Sequence, residues 1–389
     1  MKTSIEKAFR FLASYGFSVV LLLLLALLTL LGTLEQVDQG LYAVKEKYFA
    51  SLFVVHDFFG LVPVPLPGVY LLLILASVNL FCGGVVRARK GWRHWGLLVA
   101  HVGILLLLAG AFVGFEYSQR GHVTLYEGEQ TDAFVSYEAW EIALANLSHA
   151  PPATEYVIPA KAFEGAKDGR AVTFYAATLP FDLTVTDYAR NAQPVPADAS
   201  SPVRGAAIDG FRLATLEPER DAERNVPGVC VALTSKGTGT RRQGILWGMA
   251  HFPWSVRVDG DDWSVDLRRI TRPLPFTVRL DAFTREFYPG TDMPKSFISD
   301  VTTIENGIER GARISMNRPL RHRGYTFYQA SWGPANARPG EPLYSSLAVS
   351  RNPAEQLPVY ACSVICLGLA VHFCVKLGSY LRTQSRRPA

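Results

Sequence analysis

The stretch WGLLVAHVGILLLLAGAFVGF, Trp95 to Phe115, is apolar along its whole length except for one imidazole, His101. About 20 such residues in a row are what a helix needs to cross a bilayer. An ionisable side chain inside a span is costly, and it marks a bundle interior, a partner or a cofactor. This stretch therefore sets the fold class and gives the first place to look for function.

Working outward, three further segments have the same length and character: Phe17 to Leu34, Val69 to Val86 and Val359 to Leu377. No small-x-small cleavage pattern follows the first, so it is expected to be a retained span rather than a removed signal. Lys2, Lys7 and Arg10 precede the first span, Arg87, Arg89, Lys90 and Arg93 separate the second from the third, and Lys376, Arg382, Arg386 and Arg387 close the chain. Glu6 is the lone acid among them. Lys and Arg collect on the cytoplasmic side of a membrane protein, which predicts that both termini are cytoplasmic.

The expected layout is a cytoplasmic N-terminus (1–16), a span (17–34), an extracytoplasmic loop (35–68), a span (69–86), a basic cytoplasmic loop (87–94), a span (95–115), a large extracytoplasmic domain (116–357), a last span (358–377) and a cytoplasmic tail (378–389). The net charge of +5 across 389 residues then divides into basic inner segments and an acidic exported part. No basic stripe is left there for nucleic acid.

The exported part reads as β. Short alternating runs, Ser264 to Ile270, Thr277 to Leu280, Ser299 to Ile304 and Tyr325 to Gln329, are separated by Pro, Gly, Asn and Asp. Asn306-Gly307 between two runs predicts a hairpin turn, because both positions tolerate positive φ. The run from Leu179 to Tyr188 echoes that from Leu274 to Phe283, which suggests two related β units. Asn191 to Ala207, rich in Pro, Ala and Ser, is expected to be an exposed loop. The fold class is thus a membrane protein of four transmembrane helices, with a large β-rich extracytoplasmic domain between helices 3 and 4.

Several chemistries are absent from the sequence. Of five cysteines, Cys82, Cys362, Cys366 and Cys374 lie in spans and only Cys230 in the exported part, so that part holds no internal disulfide. No C-x-x-C, G-x-S-x-G, H-E-x-x-H or P-loop occurs. His122, His149, His251 and His322 are scattered singly, and no catalytic residue emerges.

Attention returns to the membrane. His101 lies six residues, about 9 Å, from the helix end at Trp95. His372, entering from the other side, is about 14 residues beyond Pro358, which places it at a matching depth in a core of about 30 Å. Neutral imidazole is a good axial ligand for haem iron, with Arg87, Arg89 and Arg93 as candidate neighbours of the propionates. The positive-inside rule accounts for those arginines without any ligand, and a helix-packing hydrogen bond accounts for either histidine. His94, one heptad before His101, is a further candidate on roughly the same face. Gly110-x-x-x-Gly114 offers a close-packing surface to another helix.

Read as a whole, the chain resembles the ResB (CcsB) family of System II cytochrome c biogenesis proteins. The residues that carry the likeness are Gly32-Thr33-Leu34-Glu35-Gln36, Asn79-Leu80-Phe81-Cys82 and Ala100-His101-Val102-Gly103, then Leu274-Pro275-Phe276 through Phe287-Tyr288-Pro289-Gly290. Met293-Pro294-Lys295-Ser296-Phe297, Asn317-Arg318-Pro319-Leu320 and Gly324-Tyr325-Thr326-Phe327-Tyr328-Gln329-Ala330 complete it. The resemblance implies a ResC (CcsA)-type partner subunit, haem b as a transported substrate, and apocytochrome c receiving it by thioether bonds at C-x-x-C-H. It implies His101 as the haem ligand of this subunit, which makes His372 less necessary, and it implies a component of a haem lyase that is not autonomous. Trp247-Gly248-Met249-Ala250-His251-Phe252-Pro253-Trp254 is faintly similar to the partner's tryptophan-rich segment but lacks its W-x-W-D core, and reads as structural. A sensor is disfavoured, because the inner segments leave no room for an output domain. A scaffold that stabilises a partner without touching haem fits everything except His101.

Overall fold

The computed structural model describes residues 2–58, 62–148, 154–197, 207–291, 294–334, 337–338 and 341–385. These fall into two compact units, one of residues 1–118 with 352–389 and one of residues 119–351.

The first unit is helical. Helix α1 (Lys2–Leu12) ends at a break where Ser14 takes extended backbone angles and its hydroxyl accepts the Phe17 amide, capping α2 (Tyr15–Val44). Helix α2 does not stop at Leu34: it continues ten residues, turning at Gly40, whose φ of 81° suits a residue without a Cβ. A π-helical turn (Lys45–Phe49) and a hairpin, β1 (Phe53–Phe58) with β2 (Val62–Pro67), follow. Much of the segment expected as a loop at 35–68 is therefore regular structure. Helix α3 (Val69–Asn79) runs into a second π-helical stretch (Leu80–Val86). Then come α4 (Trp95–Tyr117) and α5 (Leu357–Gln384).

Four segments, Tyr15–Phe49, Val69–Val86, Trp92–Tyr117 and Leu357–Gln384, are long and apolar enough to cross a membrane. Leu22, Leu23, Leu30, Leu367 and Phe373 on them are exposed, a surface suited to lipid rather than to water.

Helices α4 and α5 pack along a seam of small residues. A Cβ on Gly96 would lie 2.4 Å from the His372 nitrogen, and one on Gly103 2.7 Å from Ile365; on Gly110 it would be 2.9 Å from Leu357, and on Gly368 2.6 Å from the Ala100 nitrogen. Gly96, Ala100, Gly103 and Gly110 follow one another at four, three and seven residues, so they share one face of α4. With no hydrophobic drive between helices in lipid, close backbone approach supplies the association. The expected Gly110 contact is thus one part of a longer seam.

The second unit is β. A four-stranded sheet packs on part of a ten-stranded sheet, burying Phe181, Val185, Val229 and Leu233 against Ile142, Leu144, Val265 and Leu267, and the rest of the large sheet surrounds a second core of Phe134, Phe276, Leu280, Ile314 and Phe327. A single 27-residue strand, Asp261–Phe287, carries both expected runs 264–270 and 277–280. Its first part pairs with the later half of the strand Gln130–Asn146, and the register shifts between Pro273 and Val278. Past that shift it also pairs with Pro294–Glu305. The large sheet curls, since Ser299 reaches Gln329 at 2.6 Å and Ser345 at 2.8 Å across its buried side. Asn306 and Gly307 take φ of 49° and 78° in the turn between Pro294–Glu305 and Ile308–Ser315, as their sequence predicts.

The echoing runs lie in different sheets and bury the same alternation, Phe181, Leu183 and Val185 in one core, Phe276, Val278 and Leu280 in the other. The Pro-Ala-Ser stretch is not all loop: Ala192–Pro196 forms a strand against Phe211–Thr215, and its later residues lie outside those described.

Replacing Gly368 with Leu drives a side chain into the α4 backbone, while Gly378 on the same helix has open space around it. Gly368→Leu is expected to cost about 1–3 kcal/mol and to lower the thermal midpoint in detergent, with Gly378→Leu unchanged. Equal midpoints for the two variants would remove the seam from the account.

Candidate functional site

His101 sits one position round α4 from Ala100, so it points off the α5 seam by about 100°. Its Nδ1 lies 2.8 Å from the Gly84 carbonyl oxygen in the π-helical stretch. A carbonyl only accepts, so Nδ1 carries the proton and, in the neutral ring, Nε2 carries the lone pair. This is the tautomer a metal-ligating histidine adopts, with its second nitrogen held by a backbone carbonyl.

The approach depends on Gly84 lacking a side chain: a Cβ there would be 2.7 Å from Nδ1 and 2.9 Å from Leu80. Its neighbour Gly83 faces the other way, where a Cβ would be 3.1 Å from the Ala13 carbonyl oxygen. The π-helical turn thus brings His101 against one side of the chain and the α1–α2 break against the other.

Asn79, buried at the end of α3, fixes that break. Its Nδ2 donates to Leu12 O at 2.6 Å and Ser14 O at 3.3 Å, and its Oδ1 accepts from Ser18 Oγ at 2.7 Å. The Asn79-Leu80-Phe81-Cys82 segment noticed in the sequence is therefore a polar anchor leading into the turn that holds His101. Arg87 donates to Ala13 O at 3.4 Å. Arg89, Lys90, Arg93 and His94 are exposed beside it.

His372 does not share the depth of His101. Its backbone packs on Gly96, five residues or about 7.5 Å earlier along α4. The helices meet closer to Trp95 than equal insertion of the two spans predicts. His372 Nδ1 is buried without a hydrogen-bond partner among the described residues.

A second polar cluster was missed in the sequence. Tyr48, fully buried, contacts Glu35 and His56 through its hydroxyl, and Lys47 reaches Glu35 at 2.6 Å. A carboxylate only accepts, so with Glu35 ionised the Tyr48 hydroxyl donates to it and accepts a hydrogen bond from His56 Nδ1–H. The chain of bonds ties the end of α2 to the hairpin β1–β2. Glu35 and His56 are 21 residues apart with no motif spacing, and the one available signal was an acid placed just after an apolar span.

The β unit offers less. Burial, then the charge of Arg269, pushes the His122 imidazole down from its ordinary value, and among the described residues its Nδ1 lacks a partner while the ring stacks on Tyr137. His322 lies 3.2 Å from Glu305, which also binds Arg323. His251 is exposed and His149 lies outside the described residues. Burial, then Asp187, pushes the Cys230 thiol up to about 11, which leaves it inert at neutral pH. Gly248 packs under Trp140, Trp247 Nε1 donates to Ala192 O at 2.7 Å and Trp254 lies against the first core, so the two ends of the 247–254 segment are packed while Met249 to Pro253 are exposed. Among the described residues no group of three or more His, Cys, Asp or Glu is arranged to hold a metal ion.

Comparison with known proteins adds the family. The sequence pattern of the ResB-like family matches residues 80–187 and 255–340, including the His101 helix. Protein NrfI of Wolinella succinogenes is 22% identical over 93% of this chain and 34% of its own length. Cytochrome c biogenesis protein CcsB of Microcystis aeruginosa is 29% identical over 30% of this chain and 26% of its own length. The protein of that name from a Synechococcus species is 29% identical over 38% of this chain and 33% of its length. The chain thus spans about a quarter to a third of the length of these relatives.

Removing the Tyr48 hydroxyl takes one hydrogen bond from Glu35 and one from His56. Tyr48→Phe is expected to destabilise the helical unit by about 1–3 kcal/mol, with a double-mutant cycle against Glu35→Gln showing coupling. Additive effects in unfolding measurements would dissolve the cluster into independent contacts.

Proposed function

The chain belongs to the ResB-like family, and from that membership we propose that it is the haem-handling membrane subunit of a System II cytochrome c synthesis complex. Its cargo is haem b, its partner a ResC (CcsA)-type membrane subunit, and the receiving protein apocytochrome c, which takes haem through thioether bonds at C-x-x-C-H. The observation that carries this reading is the His101–Gly84 hydrogen bond, which holds the one imidazole of α4 in a ligating tautomer.

In this reading the four apolar helices cross the bacterial inner membrane with both termini and the 87–94 loop cytoplasmic. The β unit lies between the third and fourth spans in the chain and outside the membrane, placed to hold apocytochrome near the exit site. His101 then lies in the inner leaflet, with Arg87, Arg89 and Arg93 at the level where propionates would meet the boundary. Arg87 already donates to the Ala13 carbonyl, so Arg89 and Arg93 are the better placed of the three. His94, exposed at the start of α4, belongs to the same boundary, and His372 is not required as a ligand. The residues of this chain bind and orient haem; the tryptophan-rich surface and the outer ligands are assigned to the partner.

The experiment compares haem content and absorption spectrum of the complex purified with its partner, for wild type, His101→Ala and His101→Gly. Both variants are expected to lose haem, with imidazole restoring it to His101→Gly and His372→Ala retaining it. Unchanged haem in His101→Ala, with the complex intact, would replace a haem subunit by a scaffold.

A further inference from the structure

Helix α1 (Lys2–Leu12) is bound to the rest of the helical unit at its end, where Phe9 and Leu12 are half-buried and the Phe11 ring lies 4.7 Å from that of Phe17, yet most of its described side chains are exposed. Ile5 and Phe11 are 64% and 60% exposed, and Ser4, Glu6, Lys7, Ala8 and Arg10 are also exposed. At 3.6 residues per turn, Ile5, Ala8, Phe9 and Leu12 form one stripe about 100° wide, while Glu6, Lys7 and Arg10 fall opposite. Arg10 reaches Glu6 at 3.1 Å, a surface pair that leaves the face basic through Lys7.

The place where α1 joins the unit is as informative as its pattern. Asn79 and Arg87 bond the Leu12–Ser14 carbonyls. Directly after that contact the apolar stretch Val69–Val86 ends and Arg87, Arg89 and Lys90 begin, followed by Trp92 (83% exposed) and Trp95 (55%). Basic residues and tryptophans of this kind collect at a membrane–water boundary. A helix that is apolar on one side, basic on the other and tethered at that boundary has one environment that satisfies both faces.

We propose that α1 lies in the plane of the membrane interface, with Ile5, Ala8, Phe9 and Leu12 in the acyl boundary and Lys7 and Arg10 on the headgroups of anionic phospholipid. The arrangement has a consequence for the candidate site. Ala13 packs on Gly83, and Gly84 holds His101, so the depth of α1 sets the height of the turn that orients the imidazole. The inference rests on the apolar helices crossing a membrane and is independent of what His101 binds.

The test uses the full chain, in a cysteine-free background, reconstituted into phosphatidylcholine vesicles with and without phosphatidylglycerol. A nitroxide placed singly at positions 4 to 12 reports collisions with oxygen, which concentrates in lipid, and with a water-soluble nickel chelate. Oxygen collisions are expected to peak at positions 5, 8, 9 and 12, and chelate collisions at 6, 7 and 10. Native mass spectrometry of the chain with phosphatidylglycerol should show binding weakened about fivefold by each of Lys7→Gln and Arg10→Gln, which alter exposed side chains and leave the fold intact. Chelate access at every position would overturn the proposal. So would protection of positions 5, 9 and 12 from both reagents, since a protein partner or a second copy would then cover the stripe. Phosphatidylglycerol binding unchanged in both charge variants would remove the headgroup contact.

Discussion

Two adjacent glycines organise the helical unit. At Gly83 the π-helical turn touches the Ala13 carbonyl, and at Gly84 it touches the His101 ring, each at a separation that a Cβ would close. Steric exclusion of two methyl groups thus joins three features: the break between α1 and α2, the end of α3, and the single imidazole of α4. The wider α3-to-π transition gives the turn its local geometry, and such π-helical insertions inside α-helices often accompany functional sites. Asn79 supplies the polar half of the same junction by donating to the Leu12 carbonyl at the end of α1 and to the Ser14 carbonyl at the start of α2.

The α4–α5 seam obeys the same rule at a larger scale. Small residues on one face of α4 let α5 approach backbone to backbone, and this fixes which sides of α4 remain for other use. His101 is turned off that seam, toward Gly84. His372, by contrast, lies against Gly96 with its Nδ1 buried. Two histidines that look alike by hydropathy therefore sit in different surroundings, one with its tautomer set by a carbonyl and one enclosed by helix packing.

Much of this was legible in the sequence, because the strongest constraints were periodic or compositional. Four apolar runs gave four long helices, and Asn306-Gly307 gave its turn because positive φ needs those residues. His101 stood out because an imidazole among leucines has no other neighbour to explain it. What could not be read depends on contacts between distant positions. The depth of His372 was off by more than a helical turn, since insertion depth says nothing of how two helices slide along a glycine seam. Glu35, Tyr48 and His56 meet only after α2 overruns its apolar stretch by ten residues and the hairpin folds back. The long strand Asp261–Phe287 hid behind Pro273 and Pro275, which suggest a break, whereas the chain answers them with a register shift.

The central claim is that Gly84 holds His101 ready to ligate, and the most direct measurement is the absorption spectrum with haem content of Gly84→Ala, purified with the partner subunit beside wild type. The Cβ at 2.7 Å from Nδ1 must displace the ring or the turn, and loss of such a supporting bond weakens metal binding by about 10- to 100-fold. The account predicts depleted haem and a changed axial-ligand spectrum in a complex that still assembles. Haem content and spectrum identical to wild type would contradict it.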